Sequence, residues 1–116
     1  MDNLKEKCGI ICNNTFYELK NISRTEYEFI CDPSDFYTTV KGKCSDDIQA
    51  IVHTHEESCE PSYKDIMSMK IWNIPWIIIS KKCIKSILYL NGSILELDIH
   101  SLLSQELYHS LMKLLQ

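Results

Sequence analysis

The sequence contains little glycine or proline and no long apolar run. Only three glycines and three prolines occur among 116 residues, whereas 45% of the residues are hydrophobic and 24% are charged. This composition excludes a fibrous repeat and a disordered chain. The longest apolar stretch, Ile74–Ile79, contains Pro75 and is far shorter than the roughly 20 residues that cross a bilayer. We therefore expect residues 1–116 to form one globular domain with no membrane partner.

An excess of basic residues is also lacking. Twelve Lys and Arg residues stand against sixteen Asp and Glu residues, which gives a net charge of −4. Because proteins that bind nucleic acid usually carry a basic surface, we expect no nucleic-acid partner. No apolar segment of the kind found in secretory signals precedes Cys8, so we expect a cytoplasmic location.

The six cysteines include no C-x-x-C pair, which argues against a structural zinc knuckle. They are Cys8, Cys12, Cys31, Cys44, Cys59 and Cys83. Since we expect a cytoplasmic protein, we also expect these thiols to be reduced and buried.

Short apolar runs separated by turn residues predict a sheet with interspersed helices. Asn13-Asn14 and Asn91-Gly92 are the turn signals of two hairpins. The predicted strands are Cys8–Cys12, Thr15–Asn21, Tyr27–Cys31, Ile48–His55, Trp76–Ser80, Ile84–Leu90 and Ile94–Asp98. The predicted helices are a short one that begins at Asp32, Ser62–Trp72 and Ser101–Leu115. The expected fold class is α/β (α+β), with a central mixed sheet flanked by two or three helices.

Two histidines and one aspartate form a candidate metal site. His53 and His55 are two residues apart on a predicted strand, so both side chains leave the same face of the sheet. Asp65 falls in the first turn of a predicted helix with Ser62 as its N-cap, and the intervening loop could place that turn beside the histidines. Two His and one Asp ligands leave one position of a tetrahedral zinc open for water, as in catalytic sites.

A catalytic zinc site also needs a general base and a donor for the substrate carbonyl. Glu6, just before the first strand, is our candidate base, and Ser62 is the candidate donor. Taken alone, Ser62-x-x-Asp65 is more often a simple capping box, and a His-x-His strand is often solvent-facing. Cys59 is a further candidate ligand, whose thiolate would occupy the position otherwise open to water.

These motifs resemble those of a known enzyme family. The H-T-H of residues 53–55 and the S-Y-K-D of residues 62–65 resemble the H-x-H and S-x-x-D signature of the JAMM (JAB/MPN) metalloproteases. The E-K-C-G of residues 6–9 resembles the E-x-C-G segment that carries their catalytic Glu. The match is closest to the prokaryotic JAB group. Within that group, N-I-P-W at residues 73–76 resembles the G-L-P-W strand that follows the S-x-x-D helix in lambda-type phage tail assembly proteins. The resemblance covers about residues 6–80.

The resemblance implies a JAMM/MPN-like domain with one Zn²⁺ per chain. It implies that His53, His55 and Asp65 are the zinc ligands, that Glu6 is the general acid/base and that Ser62 stabilises the oxyanion. The implied reaction is hydrolysis of a peptide or isopeptide bond in a protein substrate, either a phage tail protein or a ubiquitin-like protein.

We therefore expect a zinc metallopeptidase that acts in phage or prophage tail assembly. Its expected location is the cytoplasm of the bacterial host cell, with association with the virion as the alternative. Two other functions remain open: an isopeptidase that processes a ubiquitin-like protein, and an inactive, metal-stabilised tail scaffold protein. The sequence does not specify an oligomeric state.

Overall fold

A computed structural model describes residues 7–20 and 32–113, which form a mixed sheet and helices. The strands in these ranges are β1 (Cys8–Cys12), β2 (Thr15–Leu19), β3 (Ala50–Thr54), β4 (Trp76–Ile79), β5 (Ile84–Leu90) and β6 (Ser93–Leu97). The helices are α1 (Pro33–Gly42), α2 (Tyr63–Ile71), α3 (Ile99–Leu102) and α4 (Gln105–Met112). The strand order is β2-β1-β3-β4-β5-β6, with β3 and β4 parallel and the other neighbouring pairs antiparallel. The expected α/β class is confirmed.

Both predicted hairpins are present, and their turn residues have the expected conformation. Asn13 and Asn14 connect β1 to β2 with φ values of 52° and 55°. Asn91 and Gly92 connect β5 to β6 with φ values of 51° and 83°. Two successive residues with positive φ form the turn that matches the twist of paired strands, and Asn and Gly adopt it most readily. The predicted strand Tyr27–Cys31 lies outside the described residues.

The predicted terminal helix Ser101–Leu115 is wrong in its extent. The chain instead forms α3 and α4, and residues 114–116 lie outside the described part of the chain. Two N-caps account for the division: Asp98 accepts a hydrogen bond from the amide of His100, and Ser104 accepts one from the amide of Leu107. Each cap starts a helix of its own. Among the residues described, no helix has the length and apolar character needed to span a membrane.

The central strands β3 and β4 are buried because helices cover both faces of the sheet. On one face, Leu107 and Leu111 of α4 pack with Val52 and Ile77. On the opposite face, Met69 of α2 belongs to a second cluster, which also contains Ile51, Trp76 and Ile78. Helix α2 connects the parallel strands β3 and β4, as parallel pairing requires. The segment that leaves β3 is therefore fixed between the sheet and α2.

The expectation of reduced thiols is wrong for the cysteines in the described ranges. Cys12 is bonded to Cys44 and Cys59 to Cys83, and Cys8 also forms a disulfide. The first two pairs are 32 and 24 residues apart in sequence, but their Cα atoms lie 5.5 and 6.1 Å apart. These Cα separations are typical of disulfides. The fold creates this proximity, so the cysteine spacing alone did not reveal it.

We predict that Gly9→Ala lowers the free energy of unfolding by about 1–3 kcal/mol, because overpacking at this position involves backbone as well as side chain. A Cβ on Gly9 would lie 2.6 Å from the carbonyl oxygen of Tyr17 and would also meet the ring of Phe16. Urea denaturation measures the change. Gly42→Ala is the control, because an added Cβ there meets nothing within 4 Å. We expect this helical substitution to be neutral or stabilising by up to about 1 kcal/mol. Equal losses in both variants would contradict the account.

Candidate metal centre

His53 occupies the centre of the sheet. It lies in β3, opposite Cys8 of β1 and Ile78 of β4, and its side chain is fully buried. Its ring is edge-on to the Trp76 ring, with centroids 5.4 Å apart. The neighbouring strands and this aromatic contact restrict the orientation of the imidazole.

His55 follows β3 directly and lies on the same face as His53. The two ring centroids are 4.7 Å apart, as expected for residues i and i+2 of an extended chain. The amide of His55 donates to the carbonyl oxygen of Ile79 at 2.8 Å, which continues the pairing of β3 with β4. Its side chain is 13% exposed, so the site is accessible on the His55 side.

Asp65 joins the start of α2 to both histidines. It is the third residue of the helix and forms a capping box with Ser62. The Ser62 hydroxyl accepts from the Asp65 amide at 3.1 Å, and Oδ2 of Asp65 accepts from the Ser62 amide at 2.7 Å. The same Oδ2 lies 3.1 Å from Nε2 of His55, and Oδ1 lies 3.7 Å from Nδ1 of His53. Asp65 therefore caps α2 and contacts both histidines at the same time.

The three side chains form a group that could hold a metal ion. One ligand atom from each of His53, His55 and Asp65 lies within 4.8 Å of the others. Metal–ligand bonds of about 2.0–2.1 Å place tetrahedral zinc ligands about 3.3 Å apart. The separations of 3.1 and 3.7 Å are close to this value. A set of two imidazoles and one carboxylate suits zinc and other transition-metal ions.

The electrostatic environment keeps His53 neutral and Asp65 ionised, which are the protonation states that a metal requires. Burial lowers the pKa of His53 to about 3, with nearby Asp65 acting in the opposite direction and His55 lowering it further. Burial acts to raise the pKa of Asp65, but its contacts with His55, His53 and the Ser62 amide together bring it below its ordinary value. Near pH 7, His53 is thus neutral and Asp65 ionised, as metal ligation requires.

A backbone carbonyl orients the ring of His55. Nδ1 of His55 lies 3.1 Å from the carbonyl oxygen of Ser58. Because a carbonyl oxygen only accepts hydrogen bonds, Nδ1 carries a proton in this contact. Nε2 is then the ring atom directed at Asp65. Metal-binding histidines commonly use one nitrogen for the metal and donate from the other in this way.

The structure brings together four of the six residues that the sequence singled out as candidates. His53, His55 and Asp65 form the cluster, and Ser62 is exposed beside it as the N-cap of α2. Glu6 lies outside the described residues. The alternative in which the thiolate of Cys59 is a ligand is wrong, because Cys59 is bonded to Cys83.

Sequence reasoning missed the residues that support the site. Ser58 acts through its backbone carbonyl, which no sequence pattern reveals. Ser80 is fully buried and donates to the carbonyl oxygen of Glu57, 23 residues earlier in the chain. Cys59 in the loop and Cys83 after β4 were the only sequence signal for a disulfide between these two segments, and no local motif pairs the two cysteines.

Comparison with known proteins adds no family assignment. No model of a known protein family matches the chain, and no curated protein matches it significantly. The residue motifs and the geometry of the three-residue cluster are therefore the observations that bear on function.

We predict that Asp65→Asn lowers zinc affinity by more than about 100-fold, because it removes the charged ligand but keeps an acceptor for the Ser62 amide. Isothermal titration with ZnCl₂ measures the change. Asp35→Asn is the matched control, since Asp35 lies in the first turn of α1 and accepts from the Lys20 amide at 2.9 Å. Unchanged affinity in Asp65→Asn, or an equal loss in Asp35→Asn, would exclude the carboxylate as a ligand.

We also predict that the metal-free protein loses stability on acidification. The pKa of His53 falls from 6.5 to about 3 on folding, so between these values the unfolded chain binds more protons. Above pH 6.5, His53 is neutral in both states and does not reduce the free energy of unfolding. As the pH falls from 6.5 toward 3, the unfolded chain takes up the proton first, so the free energy of unfolding decreases. From pH 6.5 to 4.5, the wild type should lose about 2 kcal/mol more than His53→Gln. Urea denaturation in EDTA tests this, and parallel losses in the two proteins would contradict it.

Proposed function

We propose that the chain is a JAMM-type zinc metallopeptidase that hydrolyses a peptide or isopeptide bond of a protein substrate in phage or prophage tail assembly. One observation carries the proposal: the residues with the H-x-H and S-x-x-D spacing form a single donor cluster. His53 and His55 share a strand face, whereas Asp65 is ten residues beyond His55 and reaches them only through the loop and α2, so its convergence with both histidines is a property of the fold. It supports the metal-binding interpretation over two unrelated surface histidines and an isolated cap.

The cluster supplies three ligands to one Zn²⁺. Zinc sites with three protein ligands keep a fourth position for water or substrate, whereas structural sites usually use four protein ligands. A zinc ion in such a site polarises a carbonyl and lowers the pKa of water. His53 is buried and His55 partly exposed, so substrate would approach from the His55 side.

Glu6 is the proposed general acid/base. The support comes from Lys7, whose amide donates to Oγ1 of Thr54 at 2.8 Å and whose carbonyl accepts from the Thr54 amide at 2.9 Å. Thr54 lies between the two histidines in the sequence. Lys7, the residue that follows Glu6 in the sequence, is therefore hydrogen-bonded to the strand that carries His53, which supports this role.

Ser62 is the proposed donor to the substrate carbonyl. Its Oγ accepts from the Asp65 amide, so the hydroxyl proton remains for donation to another oxygen. Ser62 is exposed and forms the capping box of α2 with Asp65, the carboxylate ligand. A donor in this position stabilises negative charge on the carbonyl oxygen during attack by water.

The proposal includes two possible locations: the cytoplasm of the bacterial host cell and the virion. Disulfides persist in oxidising surroundings, which include virion surfaces, and are rare in the cytosol. The Cys12–Cys44 and Cys59–Cys83 bonds therefore favour association with the virion.

The test compares zinc-loaded wild type with Glu6→Gln on two probes. The probes are a peptide library prepared from a bacterial proteome and isopeptide-linked diubiquitin, with products identified by mass spectrometry. We expect Glu6→Gln to bind one zinc per chain but to lose at least about 100-fold in turnover, the usual contribution of a general base. Glu18→Gln, at an exposed position of β2, is the control and should retain full activity.

The outcomes separate the open functions. Cleavage of diubiquitin alone would favour the isopeptidase, and cleavage of the peptide library would favour the peptidase. Full activity in Glu6→Gln would remove Glu6 from the mechanism. Zinc binding without cleavage of either probe would favour the inactive scaffold protein.

A further inference from the structure

Several contacts fix the loop between His55 and Ser62 to the segment that follows the C-terminal end of β4. Cys59 is in the middle of the loop, is 3% exposed, and is bonded to Cys83 in the turn between β4 and β5. Lys85 of β5 also contacts Glu60, with Nζ 2.7 Å from Oε2. The loop that connects the candidate ligands is thus attached to a part of the chain that contains none of them.

Ser80 forms a third attachment and is fully buried. Its hydroxyl donates to the carbonyl oxygen of Glu57 at 2.8 Å and accepts from the amide of Lys82 at 3.1 Å. Its Oγ also lies 3.6 and 3.3 Å from the sulfurs of Cys59 and Cys83. One hydroxyl therefore connects the His55 loop, the end of β4 and the disulfide. A buried hydroxyl with both a donor and an acceptor contact fixes the backbone to which it is bonded.

Ser58 lies between the two fixed residues, Glu57 and Cys59. Its carbonyl oxygen is the group that accepts from Nδ1 of His55 at 3.1 Å. Since the residues on both sides are attached to Ser80 and Cys83, the position of this carbonyl depends on those attachments. The carbonyl in turn determines which nitrogen of His55 carries a proton and which one faces Asp65.

We propose that Ser80 and the Cys59–Cys83 disulfide are positioning residues for the metal centre. They hold the Ser58 carbonyl where it keeps Nδ1 of His55 protonated and Nε2 directed at the metal. This inference rests on the proposed metal site. It assigns a ligand-orienting role to a disulfide and a buried serine that lie outside the H-x-H and S-x-x-D motifs.

A purely structural role is the competing explanation, and the chain offers a matched control for it. The Cys12–Cys44 disulfide closes a longer segment, 32 residues against 24, so its loss should destabilise the fold at least as much. It lies in a separate core cluster with Ile10 and Leu19. Cys12→Ala/Cys44→Ala thus removes a disulfide without touching the His55 loop.

The experiment measures zinc affinity by competition with a fluorescent chelator, well below the unfolding temperature of each variant. Outer contacts of a metal ligand typically change affinity by 10–100-fold. We expect a loss of about this size in Cys59→Ala/Cys83→Ala and in Ser80→Ala. The control Cys12→Ala/Cys44→Ala should bind zinc with wild-type affinity although it is less stable. Ser80→Ala leaves the disulfides in place and keeps the proposal testable if the double variant does not fold.

A second readout follows the proton on His55 directly. In zinc-loaded, ¹⁵N-labelled protein, the Nδ1 proton of His55 should exchange with water faster in Ser80→Ala than in wild type. Wild-type affinity and unchanged exchange in Ser80→Ala would overturn the positioning role and leave the metal site intact. Equal affinity losses in all variants, the control included, would also overturn it. Failure of the wild type itself to bind zinc would instead overturn the metal site.

Discussion

The carboxylate of Asp65 is the group on which the arrangement of the site depends. One of its oxygens accepts from the Ser62 amide at the start of α2 and lies 3.1 Å from Nε2 of His55, and the other faces His53. A buried carboxylate is costly unless it is paired and hydrogen-bonded. These contacts offset the cost and also fix the helix start against the end of β3. The interaction that begins the helix therefore also assembles the donor cluster.

The sheet explains why the cluster forms at this point. The strands β3 and β4 are parallel and buried on both faces, so the chain must leave β3 through a loop and return through α2. His53 is the last-but-one residue of β3 and His55 the first residue beyond it. The loop that follows is attached at Cys59 and at Glu57, whose carbonyl accepts from Ser80. A rigid strand and a fixed loop together limit the movement of both rings.

Features that depend on neighbouring residues could be predicted from the sequence. The hairpin turns follow from the tolerance of Asn and Gly for positive φ, and the shared face of His53 and His55 follows from the two-residue period of a strand. The capping box at the start of α2 is also local.

Features that depend on the fold were missed. The Cys59–Cys83 disulfide and the contact of Ser80 with the loop join segments more than 20 residues apart. The division of the last helix was missed because apolar periodicity continues through the second cap at Ser104.

The central claim is that His53, His55 and Asp65 bind one zinc ion per chain. X-ray absorption at the zinc edge of stoichiometrically loaded protein tests it most directly. The account predicts a first shell of nitrogen and oxygen atoms at about 2.0–2.1 Å, with the outer-shell pattern of two imidazoles. Sulfur ligands at about 2.3 Å, or a spectrum without imidazole, would contradict it.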